Sequence, residues 1–356
     1  MNFASDNCAV AHPEILAAIA AANAGSTPSY GADPWTAKAK ARIDDVFERN
    51  CTSFLVTTGT AANALALSAL TPPYGAVFCH SAAHVMDDEC GAPEFFTAGA
   101  KLVGIEGDAG RLSAQALKAK LAAFPRGSVN NVRPAALSLS ETTECGTVYS
   151  PGEISELARI AHAAGLAVHM DGARFANAVA ALNCSPAEIS WKAGVDVLSF
   201  GATKNGALAC EAVVFFDPGK AEDFAYRRKR GGHALSKSRF LGAQMIAYLE
   251  NDRWLTLART ANAQAAKLAA GLAEIPHVDL VWPCAANEIF VAMPRATDAA
   301  LRAADARYYE WAPPRDERTA REIPRDKIVV RLVTSFATKT AEIDKFIAVA
   351  RASAAP

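Results

Sequence analysis

The sequence predicts an α/β fold with a mostly parallel central sheet in a large domain over residues 1–245, followed by a small α+β domain over residues 246–356. Three observations predict it. From about residue 35 to residue 216, short apolar runs alternate with alanine-rich helical stretches, the rhythm of strands joined by crossover helices. After residue 217 the rhythm changes to longer helices and sparser strands. A chain of 356 residues also exceeds what one small core accommodates.

The elements follow in chain order. Residues 1–34 read as an N-terminal arm belonging to the large domain. Strands are expected at Ser53–Thr57, Ala76–His80, Lys101–Ile105, Ala135–Ser140, Leu166–Met170, Val195–Phe200 and Ala212–Phe216, each a short apolar run. Helices between them are expected at Thr60–Ala69, Ser113–Ala123, Pro151–Ala164 and Pro186–Ala193. Ser150-Pro151-Gly152-Glu153 is a strong helix start, with serine as N-cap, proline first and glutamate third. In the second domain, Ser238–Leu272 reads as a long helix with a break near Asn251-Asp252. Strands at Val278–Val281, Ile289–Ala292 and Ile328–Val333 and helices at Thr297–Ala304 and Thr340–Ala352 complete it. Trp311–Asp326, rich in proline and charge, reads as an exposed loop.

Composition excludes several classes of function. Hydrophobic residues make up 51% and the net charge is −1, so the chain is neither disordered nor a basic nucleic-acid binder. The cluster Arg227-Arg228-Lys229-Arg230 lacks aromatic interleaving. No uncharged run of 18 apolar residues predicts a membrane span, and no basic-then-apolar leader is apparent at Met1–Asn7. Eight cysteines without any C-x-x-C favour reduced thiols in a cytoplasmic protein and predict no metal site.

The most informative pair is Asp171 and Lys204, which lie 204 − 171 = 33 residues apart, each just past an apolar strand. Residues at the carboxyl ends of parallel strands line the ligand crevice of such sheets. A carboxylate and an amine there suit pyridoxal phosphate, which needs a lysine for its aldehyde and an acid for its pyridine nitrogen. Small neighbours (Gly201-Ala202-Thr203 and Asn205-Gly206-Ala207) leave room for a bulky group on Lys204. Burial there should depress the lysine's basicity and favour the nucleophilic amine.

Thr57-Thr58-Gly59-Thr60 turns from strand into helix, an anion site if its N–H groups are open, otherwise an ordinary cap. His84 follows the second strand, where it could stack on an aromatic cofactor and move protons, or simply pack. Arg174 could grip a substrate carboxylate or pair with Asp171 three residues away. Arg331 lies inside the apolar strand Val329–Val333 and needs an anion there, either substrate or a structural glutamate.

Taken in order, Ala4-Ser5-Asp6-Asn7, Tyr30-Gly31-Ala32-Asp33, Thr58-Gly59-Thr60-Ala61-Ala62-Asn63, Ala83-His84, Met170-Asp171-Gly172-Ala173-Arg174, Thr203-Lys204-Asn205-Gly206 and Arg331 resemble the low-specificity L-threonine aldolases over nearly the whole chain. These are fold-type I pyridoxal phosphate enzymes related to phenylserine aldolase. The resemblance implies retro-aldol cleavage of L-threonine, L-allo-threonine and similar β-hydroxy-α-amino acids to glycine and an aldehyde. It implies that Lys204 holds the cofactor, Asp171 pairs with its ring nitrogen and His84 stacks on the ring. Gly59 and Thr60 would hold the phosphate. Ser5, Arg174 and Arg331 would bind the substrate carboxylate, with Arg174 also near the cofactor. A homotetramer built from dimers is implied, in which Tyr30, Lys229 and Lys237 reach the partner's site.

Many relatives carry histidine in the segment matching Glu141–Gly146; this chain has Glu144 there, assigned with Glu89 to the substrate side. His84, with Glu89 second, is the expected general base. Other fold-type I chemistry (β-elimination or serine hydroxymethyl transfer) and a non-catalytic nucleotide-binding role are the competing readings.

Overall fold

A computed structural model describes residues 1–125, 127–312 and 323–353. Seven strands form one sheet: β1 (Thr52–Val56), β2 (Gly75–His80), β3 (Lys101–Ile105), β4 (Arg133–Ser140), β5 (Ala167–Gly172), β6 (Val197–Gly201) and β7 (Glu211–Phe215). Their order is β1-β7-β6-β5-β4-β2-β3. Pairs from β6 through β3 are parallel, and β7 runs antiparallel to both β6 and β1. The expected strands are thus found to within a few residues. Both faces are covered, which explains why strands such as β2, β6 and β7 are buried at every position and read as unbroken apolar runs.

Helix Gly59–Leu70 sits against β6 and β7 and is buried continuously from Ala61 to Ser68, so its alanines are the size limit set by close packing on every side. On the other face, Phe200 makes edge-on contacts with Phe47, Phe175 and Trp254 at 5.5–5.9 Å between ring centres. The helix Pro151–Ala163 begins with the expected capping box between Ser150 and Glu153.

The long C-terminal helix is interrupted as the sequence indicates. Helices Arg239–Leu249 and Arg253–Ala273 meet at Asn251 and Asp252, whose φ angles of 55° and 52° cannot continue a helix. A second sheet is antiparallel, in the order β10 (Tyr309–Glu310), β11 (Lys327–Val333), β9 (Glu288–Pro294), β8 (Asp279–Leu280). It carries its own core, in which Phe3 of the arm packs edge-on against Phe346 at 5.2 Å. Asn2 bridges to Arg307, and Val333 N–H donates to the Phe3 carbonyl at 2.9 Å.

One expected helix does not form. Over Pro186–Ala193 there is only a single turn at Trp191–Ala193. The Ser190 hydroxyl donates back to the Pro186 carbonyl at 2.7 Å, and the Trp191 indole donates to the Phe47 carbonyl at 2.7 Å. These side-chain bonds compete with the helical ladder. Residues 313–322 of the expected loop Trp311–Asp326 lie outside the described residues.

Candidate active site

A cavity of ≈ 290 Å³ opens at the carboxyl ends of the parallel strands, where the sheet's switch in strand order leaves a crevice. Its walls include Gly59, Thr60, His84, Glu89, Glu144, Asp171, Arg174 and Lys204. The sequence placed all eight at the site. Ser5, Tyr30, Lys229, Lys237 and Arg331 are absent from this wall.

Asp171 is buried at the end of β5, opposite Ser199 on β6. Its Oδ1 accepts the Ala173 N–H at 3.0 Å and its Oδ2 accepts the Asn63 amide at 2.8 Å. One strand residue pair earlier, the buried His169 ring spans from Ser138 at 2.9 Å to Ser199 at 3.0 Å. Burial pushes that imidazole down to about 4, despite the Asp171 charge, so it is a neutral spacer between three strands. The alternation of side chains puts His169 and Asp171 on one face, which explains why a polar column runs through the sheet here.

Lys204 lies in the turn Thr203–Asn205 that follows β6. Among the described residues no hydrogen bond or salt bridge engages its Nζ. The turn is held from both sides. Glu211 Oε2 accepts the Ala202 N–H at 2.7 Å, and the Asn205 amide donates to Tyr248 Oη at 2.9 Å and the Trp254 carbonyl at 2.8 Å. Gly201 lets the two strand ends meet, since a Cβ there would lie 2.5 Å from the Ala173 carbonyl oxygen. Burial raises the Glu211 carboxyl to about 7 against the pull of its Thr203 and Ala202 hydrogen bonds and of Lys204.

His84 begins the short helix His84–Asp87 beyond β2. Its Nδ1 meets Glu89 Oε1 at 2.9 Å, and its backbone N–H donates to Glu144 Oε1 at 3.2 Å. Partial burial opposes a charge on the ring, but the Glu89 hydrogen bond with the charges of Asp171 and Glu144 outweighs it and raises the ring to about 9. The Asn63 amide bridges Glu89 and Asp171, donating at 2.8 Å to each. Facing atoms of His84, Glu89 and Asp171 lie within 4.8 Å of one another, the spacing of a possible metal set. The Asn63 N–H donors already span these oxygens, so the cluster is a hydrogen-bonded chain.

The helix after this turn begins at Gly59, one residue earlier than expected, and Thr58 is its N-cap, accepting the Ala61 N–H at 3.2 Å. A Cβ on Gly59 would meet nothing within 4 Å, so open space faces this positive helix end. His233 Nδ1 reaches the Thr57 hydroxyl at 3.0 Å and ties the Lys229–Lys237 segment to the same turn.

Arg174 does not pair with Asp171. It is 8% exposed and sits between two other carboxylates: Nε to Asp6 at 2.7 Å, Nη2 to Asp6 at 3.1 Å and Nη1 to Glu288 at 3.2 Å. Asn287 donates to Asp6 at 3.0 Å. Burial works against the Asp6 charge, yet Arg174 and Lys204 hold that carboxyl below its ordinary range. Arg331, half-buried on β11, has Nη1 3.7 Å from Glu288, an Nη2 donation to the Ala4 carbonyl at 3.5 Å and its plane 4.5 Å over Trp311. Ser5 caps the turn Asp6–Cys8 by accepting the Asn7 N–H. Tyr30, Lys229 and Lys237 are exposed; Lys229 Nζ lies 4.5 Å over the Tyr30 ring and Tyr30 N–H donates to the Ser236 carbonyl.

Sequence reasoning gave no role to Asn63, Asp6, Glu211 or Glu288. The last two had a signal: each charge opens an apolar run, as Glu211 before Ala212–Phe216 and Glu288 before Ile289–Ala292. A charge at such a place is costly without a partner.

Comparison with known proteins agrees with this site. Residues 2–295 match the family described as Beta-eliminating lyase. A low specificity L-threonine aldolase of Pseudomonas aeruginosa is 46% identical over 309 residues, covering 87% of this chain and 89% of that protein. Another from a Pseudomonas species is 44% identical with the same coverage. A Leishmania major threonine aldolase structure superposes with a TM-score of 0.91 at 28% identity, covering 99% of both chains.

Proposed function

The chain belongs to the beta-eliminating lyase family, among the low specificity L-threonine aldolases, and on that premise we propose that it cleaves L-threonine and related β-hydroxy-α-amino acids to glycine and an aldehyde. It is a pyridoxal-phosphate-dependent lyase. The observation that carries the reading is the meeting of Asp171 and Lys204 in one cavity, the amine unpaired and the carboxylate buried.

The residues present fit the cofactor. Lys204 supplies the amine for its aldehyde, Asp171 the anion for its ring nitrogen, and His84 a flat ring to stack on it. Gly59 and Thr60 stand at an open helix start that suits a phosphate. Bound there, the cofactor supplies an electron sink for the pair released at Cα when the Cα–Cβ bond breaks. Asp171 keeps that sink protonated, and the Asn63 and Ala173 donors hold its two oxygens in place.

Substrate carboxylate falls to Arg174, Arg331 and Ser5. Arg174 donates twice to Asp6 and pairs ionically with Glu288, whereas the buried Arg331 Nε has no hydrogen-bond partner among the described residues. The task is positioning: a fixed carboxylate sets which Cα bond stands across the cofactor plane. Glu89 holds His84 and Asn63 in place.

The reading includes a large cofactor-holding domain over 1–245 and a small one over 246–356; separate cores under the two sheets support two domains, with residues 246–249, Trp254 and Ala258 packing in the first core and Phe3 of the arm in the second. It also includes a homotetramer of paired dimers with Tyr30, Lys229 and Lys237 serving the partner's site. Exposed Tyr30, Leu208, Tyr226 and Leu235 on neighbouring segments support an interface. A cytoplasmic setting accords with eight free cysteines. No described helix is long and apolar enough to cross a membrane.

The test is aldehyde release from L-threonine, L-allo-threonine and the phenylserine isomers by cofactor-loaded protein. Release from at least one, with glycine in equal amount, is expected. A protein that takes up cofactor yet releases no aldehyde from any of them overturns the reading.

A further inference from the structure

We propose that Glu144, not His84, is the general base: its carboxylate takes the proton from the substrate's β-hydroxyl as the Cα–Cβ bond breaks. This rests on the aldolase reading above and names the residue that performs its proton transfer.

The argument starts from which lone pairs in the cavity are free. His84 is held as a donor, with Nδ1 2.9 Å from a Glu89 carboxylate whose side chain is wholly buried. The Glu89 hydrogen bond and the charges of Asp171 and Glu144 favour the charged imidazolium, and in that form the ring has no lone pair for a hydroxyl proton. Glu89 Oε1 already accepts from both His84 and Asn63, and Glu89 Oε2 is sealed off, with no hydrogen-bond partner among the described residues. Asp171 is committed to Asn63 and Ala173. Glu211 accepts from Ala202 and holds the Lys204 turn.

Glu144 differs from all of these. It stands on the loop after β4 and lines the same cavity as Lys204. Its Oε1 accepts the His84 backbone N–H, which fixes the carboxylate's direction. Its Oε2 takes part in no hydrogen bond among the described residues, and unlike Glu89 Oε2 it is not sealed from the cavity. Oriented by one oxygen and open at the other, it has the arrangement of a general base.

Its surroundings set the proton affinity near working pH. Burial raises the carboxyl most; the charge of His84 lowers it, Asp171 and Glu288 raise it, and Lys204 lowers it, leaving it at about 7. Arg174 also faces it. At pH 7.5 to 8 the carboxylate is mostly ionised yet basic enough to take a proton.

The step balances without another reactant. The β-hydroxyl O–H bond breaks and its proton goes to Glu144 Oε2. The oxygen's pair forms the aldehyde C=O, and the Cα–Cβ pair stays with Cα. In the synthetic direction the same carboxylic acid returns the proton to the aldehyde oxygen.

The experiment compares two reactions of the cofactor-loaded protein and of Glu144→Gln, an isostere that still accepts the His84 N–H. Exchange of the glycine Cα proton in heavy water, read by NMR, needs the cofactor and Lys204 but no hydroxyl proton. Threonine cleavage needs both. In Glu144→Gln, cleavage should fall by about 100-fold or more, with cofactor absorbance retained and glycine exchange changed by less than about threefold. In the wild type, kcat/KM for cleavage should rise with pH through a limb near 7 that glycine exchange lacks, a readout independent of how the variant folds. Cleavage within tenfold of wild type overturns the proposal. So does equal loss of both reactions, or the same acid limb in both wild-type profiles. A wild type that exchanges glycine but cleaves no hydroxy amino acid sinks the aldolase reading instead.

Discussion

Replacing Arg174 with Met should be the most destabilising single change at this site. The guanidinium lies between Asp6 and Glu288 with contacts of 2.7, 3.1 and 3.2 Å, and all three side chains are buried. Charge-assisted bonds of this kind contribute about 1.5–3 kcal/mol each, but they act as a unit and are offset by desolvation. Methionine fills most of the space, so cavity formation adds little. What remains is two carboxylates stranded in the interior, which costs about 3–5 kcal/mol. Urea unfolding of cofactor-free protein, followed by tryptophan fluorescence, should show a midpoint lowered by on the order of 1 M. The pH dependence checks the cause. Asp6 has its pKa lowered in the fold, so its contribution is present above 3.8 and is lost as pH falls through the depressed value. The gap between wild type and variant should therefore be widest near neutrality and narrow as pH falls, first as the stranded carboxylates of the variant take up protons and further below pH 3.8 as Asp6 of the wild type does. A cost under about 1 kcal/mol would show that the network is not what holds the arm, as would a gap that does not change with pH.

Three further outcomes follow from the geometry. Lys204→Ala should bind cofactor without the visible absorbance of a lysine-linked aldehyde and lose nearly all turnover; a variant retaining both refutes the role given to Lys204. Phe200→Ala should cost about 3–5 kcal/mol in urea unfolding, because its ring is wholly buried against Phe47, Phe175 and Trp254. Asn63→Leu removes the donor shared by Glu89 and Asp171 and should weaken cofactor affinity by fluorescence titration while costing about 1–3 kcal/mol of stability; unchanged affinity would show that Asp171 needs no such support.

Much of this architecture is legible from residue order because its signals are local. Alternation of apolar runs with alanine-rich stretches marks strands and helices, and Ser150 with Glu153 marks a helix start within four residues. Asp171 and Lys204 are legible because each follows directly on a strand. The partners of Arg174 are not legible in this way. Asp6 is 168 residues before it and Glu288 lies in the second sheet, so nothing near Arg174 in sequence announces either. The failed helix at Pro186–Ala193 misleads for a related reason: the Trp191 indole is claimed by a carbonyl 144 residues away. The role of Glu144 depends on which neighbouring lone pairs are occupied, and that is fixed only once His84, Glu89 and Asn63 have come together.

The arm has a consequence for how the protein is made. Phe3 packs on Phe346, and Asp6 is bound by Asn287 and by Arg174, which Glu288 also holds. During synthesis the first residues emerge long before their partners exist. Between Phe3 and Phe346 there are 346 − 3 = 343 positions, which at about 5–20 residues per second take on the order of 17–70 s to translate. Through that interval the parallel sheet can form, but the Asp6–Arg174–Glu288 clamp and the second core cannot close. The nascent chain therefore carries an unattached, partly apolar tail, and Arg174 beside the cavity gains its full set of partners only once Asn287 and Glu288 have been made and folded.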